Sequence, residues 1–347
     1  MKNTEALTLK EKGKFNIFKK PLVVTLLALL CCALWGSATP AIQVGYEFCI
    51  PVPEGEARPF SAILLFAGLR FLFAGVITVV IYSIARRRFI YPKRENLWRV
   101  GALSSFQTIL QYIFFYLGLS ITAGVKGTVI SGSSTFFAIL IASLILRQEK
   151  LSFRKMSGCV IGFAGIIVVN FSALGEIINI GDIFVLLSAV ANGFSAGFAK
   201  KFSKHEDPVV LSGYQFILGG AILTAVGFIS GGRLNLSDPK GALILVYLMF
   251  LSAVAYSLWG VLLKFNPVSR VTIFSFATPV FGVILTLIFL PEKNKVNPLL
   301  IVASLILVSL GILILNLQLE RSAKKAAEVG AGAHAPEALV EEKEAKE

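Results

Sequence analysis

Arg70 is the residue whose chemistry most constrains this chain. It stands inside an apolar run, Phe60-Ser-Ala-Ile-Leu-Leu-Phe-Ala-Gly-Leu-Arg70-Phe-Leu-Phe73. If that run is a helix crossing a bilayer, Arg70 lies about 9 residues in, roughly 14 Å at helical rise and close to the midplane. A guanidinium there is costly unless it faces protein or water. Two readings follow. Arg70 clamps a carboxylate or phosphate, which its planar fork meets bidentately. Alternatively it is structural, bonded to helix carbonyls or a neighbouring polar group.

Other polar residues recur at helical spacing inside apolar runs. They are Ser104, Gln107 and Gln111; Thr128, Ser131 and Thr135, with Ser134 beside them; Ser188, Asn192 and Ser195; and Ser212 and Gln215. Residues three or four apart share a helix face, so each stripe fits one wall of a common cavity. Small hydroxylated residues also glue spans together, so packing is the competing reading for Ser and Thr. A large amide such as Gln111, Asn192 or Gln215 is costlier to leave in lipid. Trp35, Tyr256 and Trp259 fall away from the expected interfacial belts, and Tyr112 and Tyr116 are weaker members of the same set. They either stack on an apolar or planar part of a ligand or pack the interior. Lys126 and Arg270 stand at span edges, where they gate or steer anions or snorkel to the headgroups.

Some chemistry is missing. None of the 20 Asp and Glu residues lies at mid-span, and the two histidines, His205 and His334, fall outside the spans. Glu149 and Glu292 sit at span ends and read as anchors or salt-bridge partners. A direct carboxylate proton relay is therefore disfavoured. No paired carboxylates, no nucleophile beside a base, no phosphate-binding glycine loop and no metal-ligand spacing occur, so an enzyme, a metal site and a cofactor are not expected. Cys31, Cys32, Cys49 and Cys159 offer no internal disulfide.

The elements that must position these residues are membrane helices. The chain is 347 residues long, 56% hydrophobic and only 15% charged, more apolar than a soluble domain requires. Apolar runs of spanning length lie at 22–46, 61–84, 98–119, 122–146, 156–173, 181–200, 208–229, 240–263, 267–290 and 297–318. The expected fold class is an all-α integral membrane protein with ten transmembrane helices. The net charge of +13 invites a nucleic-acid partner, but its distribution argues against one. Most Lys and Arg fall in alternate connections, as in Arg86-Arg87-Arg88, Lys200-Lys201 and both end segments. That bias places the N- and C-termini in the cytoplasm of a multi-pass plasma (inner) membrane protein. It reports topology and contact with membrane lipids.

The sequence also repeats itself at an offset of about 143 residues. Thr135 through Glu149-Lys150 reads like Thr278 through Glu292-Lys293, and both stretches run on to an apolar segment ending in Asn170 or Asn316. An odd number of spans per copy turns the second copy over, giving two inverted five-helix repeats. The expected organisation is a basic lead at 1–20, a first repeat at 22–173, a second at 181–318 and a disordered tail at 319–347. Inverted halves point to alternating access around a central site for a small-molecule substrate. A homodimer is compatible with this reading, and a membrane receptor or signalling scaffold is the rival of another class.

Trp35-Gly36-Ser37, Arg70-Phe71-Leu72, Ala255-Tyr256-Ser-Leu-Trp259, Pro279-Val280-Phe281 and the two span-end glutamates, in this order and spacing, resemble the EamA-type drug/metabolite transporters. The resemblance covers roughly residues 22–318. It departs at Phe136, where the family usually carries proline; Gly127, Gly132 and nearby serines offer another route to a local bend. The resemblance implies ten helices around a central cavity and efflux or exchange of amino acids or related carboxylate-bearing metabolites. Sugars, nucleotide sugars and phosphorylated metabolites are the alternative cargo.

Overall fold

The computed structural model describes residues 17–53, 56–119, 130–169 and 179–289, and most of 299–314. Lys126, Glu292, Asn170, Asn316 and the segment 319–347 lie outside the described residues. Among the described residues the chain is helical, with no strand. The labels are α1 (Pro21–Cys49), α2 (Phe60–Arg86), α3 (Arg94–Gly118), α4 (Ile130–Ile145), α5 (Phe153–Val169), α6 (Ile180–Phe202), α7 (Pro208–Ile229) and α8 (Pro239–Phe265). A short α9 (Val268–Thr272) passes through a 3-10 turn into α10 (Ala277–Phe289). Further helical residues lie between 299 and 314. Helices α1, α2, α3, α6, α7 and α8 are long and apolar enough to cross a membrane. In lipid the helix satisfies its own backbone, which is why these runs adopt it.

The helix starts are written in the sequence. Asp207 and Asp238 each precede a proline and accept the N–H two residues on, at 2.8 Å in both cases. Proline loses nothing at the first helical position, where its missing donor would be unpaired anyway. Asn179 and Asp182 cap α6 reciprocally, at 3.1 and 2.9 Å. At the other end of a helix, Arg87 (φ 52°) adopts the left-handed conformation that terminates α2.

Helix packing relies on small residues. On α2 and α7, a Cβ added at Gly220 would stand 2.2 Å from the Leu72 backbone N, and one at Gly68 2.4 Å from that of Thr224. The two backbones therefore touch, as small residues allow between spans. Two further crossings mirror each other. Gly36 of α1 abuts Phe281 and Gly282 of α10, while Gly193 of α6 abuts Phe137 and Ala138 of α4. Likewise α1 packs on α8, and α6 packs on α3. Thus α1 packs on α8 and α10, and α6 packs on α3 and α4.

Two helices depart from regular geometry. Within α3, Ser105–Leu110 is a π segment. Within α4, a turn at Ser133 interrupts the helix, with Ser133 Oγ donating to the Ile130 carbonyl at 2.6 Å, and a second π segment follows at Ile141–Ile145. The α4 helix is irregular without the proline that Phe136 replaces. Wider turns of this kind often accompany functional sites.

Candidate functional site

A cavity of about 300 Å³ lies between α1, α2, α3, α4, α6, α8 and the α9–α10 segment. That is the lower end of the range for small-molecule sites, roughly 300–1,000 Å³. One wall is aromatic. Trp35 meets Tyr256 and Trp259 edge-on, with ring centroids 5.1 and 4.8 Å apart. Tyr112 Oη and Tyr256 Oη are 2.7 Å apart, joining α3 to α8. Phe115 and Tyr116 extend the same wall. The rest of the lining is largely polar: Ser131, Ser134 and Thr135 from α4, Ser188, Asn192 and Ser195 from α6, and Thr272, Ser275 and Thr278 from the α9–α10 segment.

Arg70 lies on this cavity and is 2% exposed. Its Nε donates to Ser252 Oγ on α8 at 2.9 Å, and its guanidinium carbon stands 5.1 Å from the Phe71 ring centre. Among the described residues, no hydrogen bond occupies Nη1 or Nη2. Four other polar groups on the lining are buried without a hydrogen-bond partner among the described residues: Trp35 Nε1, Gln111 Oε1, Ser131 Oγ and Thr278 Oγ1. Buried polar atoms are nearly always paired, so a cluster of unpaired ones around one space calls for an explanation. Here the arrangement offers an anion a cationic fork and an indole N–H, and offers a donor group an amide oxygen and a hydroxyl.

The structure brings Trp35, Arg70, Gln107, Gln111, Ser131, Ser134, Asn192, Tyr256 and Trp259 onto this one lining. Gln215 is placed elsewhere. It is fully buried on α7, which sits behind α2 and α3, and its Oε1 accepts from Thr108 Oγ1 at 2.7 Å. Its amide oxygen is thus paired to a helix neighbour, while Nε2 is buried without a partner among the described residues. Arg270 also lies off the lining, with Nη1 reaching Asn266 Oδ1 at 3.4 Å. Sequence reasoning missed Thr272, Ser275 and Thr278, although their spacing of three marks one helical face. It also missed Ser252, which shares a stripe with Tyr256 and Trp259 at four and seven residues on.

Beyond one end of the cavity, near Ala199, Leu263 and Thr272, polar groups tie the helices together. Glu149 accepts from the Ser269 backbone N and Oγ at 3.0 and 2.8 Å, and pairs with Lys155 at 3.2 Å. Lys200 Nζ donates to the carbonyls of Leu263 and Asn266. Thr135 Oγ1 donates to the Thr272 carbonyl at 3.2 Å, linking α4 directly to α9. Among the described residues, no cluster of His, Cys, Asp and Glu could hold a metal ion.

Comparison with known proteins fits this geometry. The sequence profile of the EamA-like transporter family matches twice, over residues 22–171 and again over 179–317. An uncharacterized transporter of Archaeoglobus fulgidus is 29% identical over 76% of this chain and 88% of its own length. The uncharacterized transporter YvbV of Bacillus subtilis is 25% identical over 79% and 88%. A WAT1-related chloroplastic protein of Arabidopsis thaliana is 25% identical over 74% and 61%. A crystal structure with 18% identity superposes with a TM-score of 0.69, covering 86% of this chain and 98% of the other, a likeness of fold.

Proposed function

Because the chain belongs to the EamA-like transporter family, we propose that it moves a small carboxylate-bearing metabolite, an amino acid or a close relative. The route is alternating access across the plasma membrane, in efflux or exchange. The architecture we infer is two inverted five-helix halves, 22–173 and 181–318, with both termini cytoplasmic. The doubled family match and the mirrored crossings at Gly36 and Gly193 support that reading. A chain that is a transporter and not an enzyme uses its cavity to hold cargo, and the lining residues become its binding groups.

One observation carries the carboxylate reading. Arg70 is buried on the cavity with its Nε engaged by a neutral hydroxyl and, among the described residues, no acid on the lining to neutralise it. A guanidinium so placed gains most from a bound anion. Gln111 Oε1 and Ser131 Oγ are then acceptors for the ammonium of an amino acid, and the aromatic wall takes its apolar portion.

The test is counterflow in liposomes with the Arg70→Gln variant, which keeps a polar side chain and removes the charge. Affinity for acids should fall by about 1.5–3 kcal/mol relative to the wild type, while affinity for the matching amides changes little. Arg70→Lys should recover only part of the loss, since an ammonium lacks the fork. Equal weakening of acids and amides would return Arg70 to a structural role.

A further inference from the structure

The Arg70 side chain has five N–H donors but can meet a carboxylate with two parallel bonds in only two useful ways. One uses the Nη1/Nη2 tip of the fork. The other uses its side, through Nε and one Nη. Which is available depends on what holds Nε. In this protein Ser252 Oγ holds it, at 2.9 Å, from a position on α8 that is fully buried.

We propose that Ser252 is a positioning residue for cargo recognition: by occupying Arg70 Nε it leaves only the Nη1/Nη2 tip for the substrate carboxylate and fixes the direction in which that tip points. This rests on the carboxylate reading of Arg70. The Phe71 ring supports the guanidinium carbon at 5.1 Å, and Phe71 is itself held between Tyr112 and Phe216, with centroids 4.4 and 5.1 Å away. Ser252 therefore bonds one edge of the guanidinium and Phe71 supports the group.

The placement on α8 gives this contact a second role. Ser252, Tyr256 and Trp259 follow at four and then three residues, so one face of α8 carries both the hydroxyl that orients Arg70 and two rings of the aromatic wall. A shift of α8 relative to α2 moves the fork and the wall together. The carboxylate and the apolar part of the cargo are thereby held at a fixed separation, which is a criterion for selecting among acids of different length.

The experiment compares Ser252→Ala and Ser252→Thr in liposome counterflow, with a transported amino acid and its amide as competing probes. Ser252→Ala should raise the half-saturation concentration for the acid about 10-fold, the effect of losing one charge-assisted bond. It should leave the amide within about twofold and preserve the maximal rate. Ser252→Thr keeps the hydroxyl and should restore acid affinity. In an Arg70→Gln background, Ser252→Ala should add nothing, because the contact it removes no longer exists. Should Ser252→Ala give too little folded protein, Ser252→Cys carries the same expectation with a weaker acceptor of similar volume. The proposal is overturned if Ser252→Ala weakens acid and amide equally, or if its effect persists without Arg70. If Arg70→Gln itself treats acid and amide alike, the carboxylate reading fails. If Arg70→Gln discriminates and Ser252→Ala does not, the positioning role alone fails.

Discussion

Glu149 and Ser269, 120 residues apart, are joined by two hydrogen bonds to the same carboxylate. The contact fastens the end of α4 to the start of α9. The Lys155 side chain, 7% exposed, completes the pair against a Glu149 side chain 8% exposed. Removing the acid strands a buried ammonium whose remaining partner among the described residues is the Lys150 carbonyl at 2.7 Å. Glu149→Ala should cost about 3–5 kcal/mol, the penalty for breaking one side of a buried ion pair. Thermal unfolding in detergent measures it. The double variant Glu149→Ala with Lys155→Met should be more stable than the single one. If the single variant melts like wild type, the pair contributes nothing.

The Tyr112 and Tyr256 hydroxyls behave as a unit. Tyr112→Phe leaves the Tyr256 oxygen without the partner it has at 2.7 Å, and Tyr256→Phe does the reverse. Each single change should destabilise by about 1–3 kcal/mol, whereas the double change to Phe should cost less than the sum. A double-mutant cycle on melting temperature reads the coupling. Strict additivity would mean that the two oxygens do not interact.

Energetics follow from the lining, on which no Asp, Glu or His stands among the described residues. Flux of a zwitterionic substrate in liposomes should run down the substrate's own gradient with no imposed pH difference. Accumulation that strictly requires a pH gradient would demand a proton carrier elsewhere in the chain.

Orientation is testable with single cysteines, because the four native ones are buried. Ser237→Cys and Lys204→Cys both sit at exposed positions in different helix connections. Ser203, at 1% exposure, would be a poor reporter. In intact cells the first should react with an impermeant maleimide and the second should not. Labelling in the opposite pattern would invert the proposed topology.

Much of the helix pattern was legible because lipid leaves the backbone few alternatives. The runs at 22–46, 61–84, 98–119, 181–200, 208–229 and 240–263 overlap helices long and apolar enough to cross a membrane, whereas the caps at Asp207, Asp238 and Asn179 came from the structure. Gln107 and Gln111 on α3, Ser131, Ser134 and Thr135 on α4, and Ser188, Asn192 and Ser195 on α6 fall on the cavity lining, as helical period suggests; Ser104 does not, and Thr128 lies outside the described residues. The rest needed coordinates. Gln215 satisfies the sequence rule for a cavity residue as well as Gln111 does. Only the position of α7 behind α2 and α3 separates them, and that position depends on backbone contact at Gly68 and Gly220. Ser252 is an unremarkable serine until the fold brings α8 against α2.

The contact of α1 with the α9–α10 segment has a consequence for synthesis. Cys32 Sγ on α1 donates to the Phe274 carbonyl across 242 residues of chain. At translation speeds of roughly 5–20 residues per second, α1 waits in the bilayer for about 10–50 s before its partner is made. Through that interval the notch at Gly36 faces lipid or a chaperone. A nonsense truncation before α8 would therefore yield an orphan first helix, a clear target for membrane quality control, and one between α8 and α10 would leave the Gly36 notch unfilled.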